Sequence, residues 1–289
     1  YKEIAKLLNS YGVKFLAKHV SEEDDRIHAE FDPLGADTGR VSCSKPNLQQ
    51  VPAIDQFRGA FQARPGWKLL TLDYSGAELR IIAEGSQDQT MITAFLNGED
   101  LHSKMATVLW GIPVSKTENK DKRDQQKTVN FGLAYGAGPN KFKHLFSNDM
   151  DKAKQFIKKY FSTFPNIGKF LENLGTHSKT KNYSMTMSPY NRIRWYSYDT
   201  TNFKETSEVE RAGKNQPIQG TCADIVKLAT YRVHKFLKEN YKDNAFIVNQ
   251  VHDEIVIEFN AQLIEEEQFA KQIHNIMLEA GKTVIKSIP

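Results

Sequence analysis

Hydrophobic positions in this chain alternate between a strand period and a helix period, and the strands fall near its two ends. Trp67-Lys68-Leu69-Leu70-Thr71-Leu72 follows a Pro65-Gly66 turn and reads as a strand that delivers Asp73 at its end. Ala245 to Val251 and Glu254 to Phe259 read as two further strands meeting at His252-Asp253, and Ile27 to Phe31 as a short alternating one. Between them the period is helical: Ala77 to Trp110 with breaks near Gly85 and Gly98, and a lysine-rich loop leading into a helix that ends at Gly136-Ala137-Gly138-Pro139. Residues 149–181 are helical again, and Glu208 to Asn240 is helical with a kink or division at Pro217. Tyr183 to Tyr198 reads as a hairpin or loop with Arg192 and Arg194 exposed. A first helix places Ile4, Leu7 and Leu8 on one face before Gly12 ends it, and a last one runs from about Leu263 to Ile285.

Strands at both ends of a long helical insertion predict an α+β fold. Its sheet is built from residues near 27–31, 67–73 and 245–259, with a helical subdomain projecting from it. Asp73 and Asp253 can then meet although far apart in sequence.

Composition narrows the class only a little. At 289 residues the chain can bury a substantial core. Its 39 cations nearly balance 35 anions, so the net +4 matters only if charge is clustered. Lys116 to Lys127 is one candidate track, and Lys152, Lys154, Lys158 and Lys159 another that equally suits a solvated helix face. Cys43 and Cys222 lack zinc spacing and make a disulfide framework improbable, so a reducing compartment is expected. No apolar run approaches the roughly 18 residues of a membrane span, no signal peptide opens the chain, and a start without Met suggests a fragment.

Three stretches make chemical sense together: Asp73-Tyr74-Ser75-Gly76-Ala77-Glu78-Leu79-Arg80, Arg123 through Gly136, and Gln250-Val251-His252-Asp253-Glu254. The outer two deliver carboxylates at strand ends, as a pair of magnesium ions would require. Alone, either Asp reads as a turn or cap residue; the combination is what points to nucleotidyl transfer. Arg123, Lys127, Phe131 and Tyr135 recur every fourth residue, each advanced about 40°, so the stripe spirals over about 18 Å. Cations at one end suit phosphates, and rings at the other suit a sugar and base. An ordinary helix would give the same pattern as an exposed basic turn followed by core aromatics. Gly132 argues for a ligand, because a helical glycine costs about 1 kcal/mol and close backbone approach would justify it.

These residues resemble the polymerase domain of a family A DNA polymerase, the DNA polymerase I type. The match extends from Thr38-Gly39-Arg40 and Pro46-Asn47-Leu48-Gln49 through Arg211, Asn215 and Gln219-Gly220-Thr221 to Gln250-Val251-His252-Asp253-Glu254. The resemblance implies a right-hand polymerase fold with an antiparallel-sheet palm (residues 21–101 and 201–289), helical fingers (102–200) and a residual thumb helix (1–20). It implies two Mg2+ ions, with Mn2+ as a substitute, held by Asp73, Asp253 and the Tyr74 carbonyl, with Glu254 as a secondary carboxylate. Arg123, Lys127 and His102 match triphosphate contacts, and Lys127 also the proton donor to pyrophosphate. Glu78 matches the steric gate against a ribose 2′-hydroxyl, held by Tyr135, while Phe131 matches the residue against the sugar in relatives that reject dideoxynucleotides. Arg40, Asn47, Gln49, Arg211, Asn215, Gln219 and His252 match primer-terminus and minor-groove contacts, where donors can check pair geometry without reading sequence.

Departures accompany the match. Gly76-Ala77 stands where Gln-Ile is common, and the loop Ala53 to Gly59 is short, leaving Arg58 as the substitute for a triphosphate-binding arginine. Most of the thumb and a terminal strand after Pro289 are missing by comparison, which implies a weak grip on duplex. The expected function is DNA-directed DNA synthesis from primer-template DNA and deoxynucleoside triphosphates. The expected protein is a monomer in a bacterial or phage-infected cytoplasm or an organelle, from a parent that carries exonuclease domains not present here. The alternatives are a catalytically weak or inactive primer-template binding fragment and a single-subunit RNA polymerase, against which Glu78 argues.

Overall fold

A computed structural model describes residues 13–52 and 54–289. The reading of a helix over residues 1–12 lies outside the described residues. In chain order the helices are α1 (Val13–His19), α2 (Asp55–Arg58), α3 (Ala77–Ser86), α4 (Gln89–Leu96), α5 (Leu101–Trp110), α6 (Lys120–Ala134), α7 (Pro139–Phe142), α8 (Met150–Thr163), α9 (Pro165–Lys181), α10 (Phe203–Asn240) and α11 (Glu266–Gly281). The strands are β1 (Glu30–Asp32), β2 (Ser42–Ser44), β3 (Trp67–Asp73), β4 (Tyr183–Met185), β5 (Ile193–Trp195), β6 (Ala245–Val251) and β7 (Glu254–Asn260). The fold is α+β. The stop expected at Gly12 likewise falls outside the described residues, and the described chain opens on α1 at Val13. Contacts divide the chain into two units, one of residues 1–75 and 223–281 and one of residues 76–222 and 282–289.

The first unit is built on an antiparallel sheet of order β3-β7-β6. Alternation along β7 sends Ile255, Ile257 and Phe259 to one face, where they are at most 1% exposed. There they join Val233 and Leu237 of α10 and Phe269, Ile273 and Met277 of α11, residues at fourfold helical spacing. Each such side chain contributes about 1.5–3 kcal/mol on burial. On the same strand Glu258 is buried with the Arg26 and Arg64 guanidiniums on its carboxylate, at 2.9 and 2.8 Å. Burial would raise that carboxyl, but the arginine hydrogen bonds prevail and hold it down at about 2.

The third strand expected near 27–31 is not part of this sheet. Instead β1 pairs with β2, Phe31 opposite Cys43, and Ile27 bridges Val20. All three residues of β1 are exposed, so it brings no apolar face that a core sheet could bury. Arg26 ties this segment to β7 by charge instead.

The second unit is mainly helical, with Ile81, Met91, Met105, Val129, Phe142 and Phe164 fully buried. Asp88, Asp100 and Asp149 cap the amino ends of α4, α5 and α8 with side-chain oxygens. The helical stretch 149–181 is two helices, divided where Phe164 precedes Pro165. Helix α10 runs 38 residues through Pro217 as one element, so of the expected kink or division the division does not occur. Burial of Pro217 and Ile218 offsets the roughly 3 kcal/mol that an internal proline costs. The β4–β5 hairpin pairs Tyr183 with Trp195. Its arginines are half-buried rather than exposed: Arg192 donates to the Gly220 carbonyl at 3.2 Å and Arg194 lies over the Tyr196 ring. The last helix is shorter than expected, ending at Gly281. Among the described residues no helix is long and apolar enough to cross a membrane.

Candidate functional site

Strand register places the acidic residues of the first unit together. The antiparallel ladder sets Asp73 opposite Glu254, and the two-residue connection His252-Asp253 joins β6 to β7. His252 takes a left-handed φ of 55°, which a tight hairpin turn requires. The Tyr74 N–H donates to the Asp253 carbonyl at 3.3 Å, and its phenol donates to the Met277 carbonyl at 2.6 Å. Both carboxylate-bearing chain segments are thereby fixed to the sheet and to α11. The Glu254 carboxyl is raised, first by burial, against the nearby Arg58 and with the repulsion of Asp73 and Asp253. Three acids therefore share one field.

That field invites a cation. Among the described residues no group of three or more His, Cys, Asp or Glu is arranged to hold a metal ion. Magnesium does not need such a group: it keeps water and substrate oxygens and takes one or two carboxylates from the protein. Asp73, Asp253 and the Tyr74 carbonyl are hard oxygen donors, so the donor set fits magnesium.

In the second unit α6 carries the basic and aromatic stripe. Arg123 donates Nε and Nη2 to the two carboxylate oxygens of Asp100, at 2.6 and 3.0 Å, which raises the guanidinium further above its ordinary value. Lys127 is exposed. The Phe131 ring is half-buried, 5.8 Å from the His102 ring and stacked at 6.4 Å on Tyr135. Tyr135 caps α6 and donates its hydroxyl to the buried Glu78 in the first turn of α3. The ligand argument from Gly132 fails. A Cβ there would lie 2.5 Å from Cζ of the buried Phe142, so α7 explains the glycine.

His102 lies in the first turn of α5, 9% exposed, behind the Asp100 cap. Its Nδ1 is 3.0 Å from Nδ2 of Asn130, whose Oδ1 accepts from Gln126. Burial above all, then the fields of Arg123 and Lys127, press the imidazole down to about 4, against Asp100 and Asp124. It is neutral near pH 7. Asp100, Gln126 and Asn130 carry no role in the sequence reading. Asp100 was visible as an N-cap, and the four-residue spacing of Gln126 and Asn130 as a shared helix face.

The residues matched to primer and minor-groove contacts are spread over both units. In the first, Asn47 caps a 3-10 turn by accepting from Gln49 N–H, and Gln49 donates to the carbonyls of Val41 and Gln250 at 3.0 and 3.1 Å. Both amides thus brace the loop that bears them. Arg40 is half-buried and His252 exposed. In the second, Arg211, Asn215 and Gln219 recur every fourth residue on α10, with Arg211 against the Gly136 turn. The Asn215 Oδ1 is buried without a hydrogen-bond partner. Around the second lysine track, Lys152 and Lys154 pair with Asp149 and Asp151 on the helix surface.

A sequence profile described as DNA polymerase family A matches residues 1–288. The chain is 34% identical to DNA polymerase I of Caldicellulosiruptor bescii over 100% of its own length and 33% of that protein's. It is also 34% identical to the thermostable DNA polymerase I of Thermus thermophilus, over 92% of this chain and 32% of that one. It therefore spans about a third of the length of these relatives. Among solved structures it resembles the POL domain of Pol1 from M. smegmatis in complex with DNA primer-template and dNTP, with a TM-score of 0.88 at 30% identity, over 100% of this chain and 50% of that one. With the profile matched across nearly every residue and the fold superimposed end to end, the chain belongs to DNA polymerase family A.

Proposed function

We propose that this chain is the catalytic core of a DNA-directed DNA polymerase that adds deoxynucleotides to a primer 3′-hydroxyl by two-metal-ion nucleotidyl transfer. The observation that carries the reading is the ladder that sets Asp73 opposite Glu254 while the Tyr74 N–H holds the Asp253 carbonyl. Residues 21–101 and 201–289 serve as palm, 102–200 as fingers and 1–20 as a thumb remnant. Primer-template DNA, to which the M. smegmatis domain is bound, is the partner, and the chain acts as a monomer.

Asp73, Asp253 and the Tyr74 carbonyl would hold the magnesium pair, with Glu254 at its margin. Bound there, the ions would lower the pKa of the 3′-hydroxyl and offset charge on the leaving pyrophosphate. Arg123 and the neutral His102 hold the triphosphate through N–H donors, and Lys127 both offsets its charge and donates a proton to the pyrophosphate. Phe131 lies against the sugar. Glu78, fixed by Tyr135, fills the space of a 2′-hydroxyl, and Tyr135 couples base pairing to finger closure. Arg40, Asn47, Gln49, Arg211, Asn215, Gln219 and His252 contact the primer terminus and minor groove, with Asn47 and Gln49 acting through the loop they brace. Arg58, within the field of Glu254, supplies further positive charge.

Primer extension tests the reading. The chain should extend a labelled primer with deoxynucleotides and magnesium, and Asp73→Asn or Asp253→Asn should lose at least about a thousandfold in rate while binding duplex normally. Near-normal turnover in either variant refutes the carboxylate assignment. An unsubstituted chain that binds primer-template but never extends it is a binding fragment.

A further inference from the structure

We infer that Asn130, backed by Gln126, is a positioning residue that fixes His102 as its Nε2–H tautomer and so presents a neutral N–H donor to the nucleotide triphosphate. The inference rests on the phosphate-contact role proposed above for His102.

Gln126 and Asn130 lie one turn apart on α6, 0% and 1% exposed. Gln126 Nε2 donates to Asn130 Oδ1 at 2.7 Å, and Asn130 Nδ2 reaches His102 Nδ1 at 3.0 Å. An amide nitrogen has only hydrogens to offer, so Nδ1 must accept and the ring proton sits on Nε2. The reverse polarity would make Asn130 Oδ1 the acceptor and Gln126 Oε1 its partner. Gln126 would then bury an NH2 with no acceptor, whereas the observed chain leaves only the Oε1 acceptor unpartnered. Buried orphan N–H groups are the rarer of the two, which favours the observed direction.

The surrounding charge supports a neutral ring. Arg123 and Lys127 from α6 disfavour a third cation, while Asp100 before α5 and Asp124 on α6 pull the other way. Asp100 is already committed to Arg123 and to the cap. A neutral donor also gives a nucleotide contact that does not change as pH moves across neutrality.

The tautomer can be read directly from 15N spectra of histidine-labelled full chain, which has eight histidines. The His102 signals are assigned by their loss in His102→Gln. The expected result is a protonated Nε2 and a bare Nδ1, unchanged from about pH 5.5 to 8. A protonated Nδ1, or titration near the ordinary value of about 6.5, overturns the inference. In Asn130→Asp the new carboxylate favours a proton on Nδ1 and leaves Nε2 bare when the ring is neutral. Nucleotide KM should then rise about tenfold or more at pH 8 and fall again as the ring protonates at lower pH, with kcat little changed. A rise in KM that is the same at every pH assigns Asn130 a packing role only and also overturns the inference. The spectra of the unsubstituted chain decide the matter if this variant does not fold. Unchanged nucleotide KM in His102→Ala, which keeps no side-chain donor at that position, refutes the phosphate contact itself, a failure distinct from a wrong tautomer.

Discussion

One carboxylate, that of Asp100, both caps α5 and grips Arg123 of α6 at two points, 2.6 and 3.0 Å. The helix that carries His102 and the helix that carries the cationic stripe are thus registered against each other by a single side chain. Two parallel N–H···O bonds fix the plane of the guanidinium as well as its position. Arg123 is therefore pre-oriented, and its remaining N–H groups have a defined direction.

Acid should undo this link in a defined window. Burial alone would raise the Asp100 carboxyl, but hydrogen bonds from Arg123 and Ser103 overcome it and hold it down at about 2. The folded value lies below the unfolded value of about 3.9, so the contribution is present above that pH and is lost as pH falls from about 4 to 2. Asp100→Asn keeps a capping oxygen but removes the ion pair. We expect it to cost about 1 kcal/mol at pH 7, allowing for partial solvent screening, and only a small part of that near pH 2, where the folded carboxyl is about half protonated. Thermal unfolding of both proteins across this range tests it. A gap that persists undiminished at pH 2 would place the loss in the cap.

Glu78 is buried, accepts from Tyr135 and stands at the first turn of α3, where a helix dipole favours a carboxylate. Such a fixed group can exclude a hydroxyl by volume and by repulsion. Glu78→Ala should lower the ratio of kcat/KM for deoxynucleotides over ribonucleotides by at least about tenfold, mainly by improving ribonucleotide use. Unchanged discrimination would remove its gate role. Tyr135→Phe, which removes one hydrogen-bond donor to the carboxylate without removing the carboxylate, should give an intermediate ratio.

The sequence revealed those features that local patterning controls. Strand alternation located β3 ending at Asp73 and the turn at His252-Asp253, because apolar residues of period two stop where the chain must reverse. Fourfold spacing located the α6 stripe. Tertiary pairings were not legible: Asn130 meets His102 from 28 residues away, and Arg123 meets Asp100 from 23, with nothing in either pattern to announce it. The segment near Ile27 looked like a sheet strand, yet an exposed three-residue strand has no burial to gain from the core sheet. Arg192 and Arg194 looked solvated because their acceptors, a carbonyl of α10 and a tyrosine ring, are set by packing.

Gly132 shows how a correct local inference can name the wrong neighbour. A helical glycine does signal close approach, but the approaching atoms are Cζ and Cε1 of Phe142, 2.5 and 2.8 Å from where a Cβ would stand. Gly132→Ala gains about 1 kcal/mol of helix propensity. Because Phe142 is fully buried and cannot swing into solvent, the clash should fall in the upper part of the roughly 1–3 kcal/mol that overpacking costs, which outweighs that gain and lowers the thermal midpoint. Adding Phe142→Leu makes room for the methyl group, so the pair should be less destabilised than the two single losses summed, the coupling expected of residues in contact. Had the glycine instead served a ligand, Gly132→Ala would raise the midpoint through propensity and raise nucleotide KM. Thermal unfolding of the three variants beside nucleotide KM of the alanine variant separates the two causes.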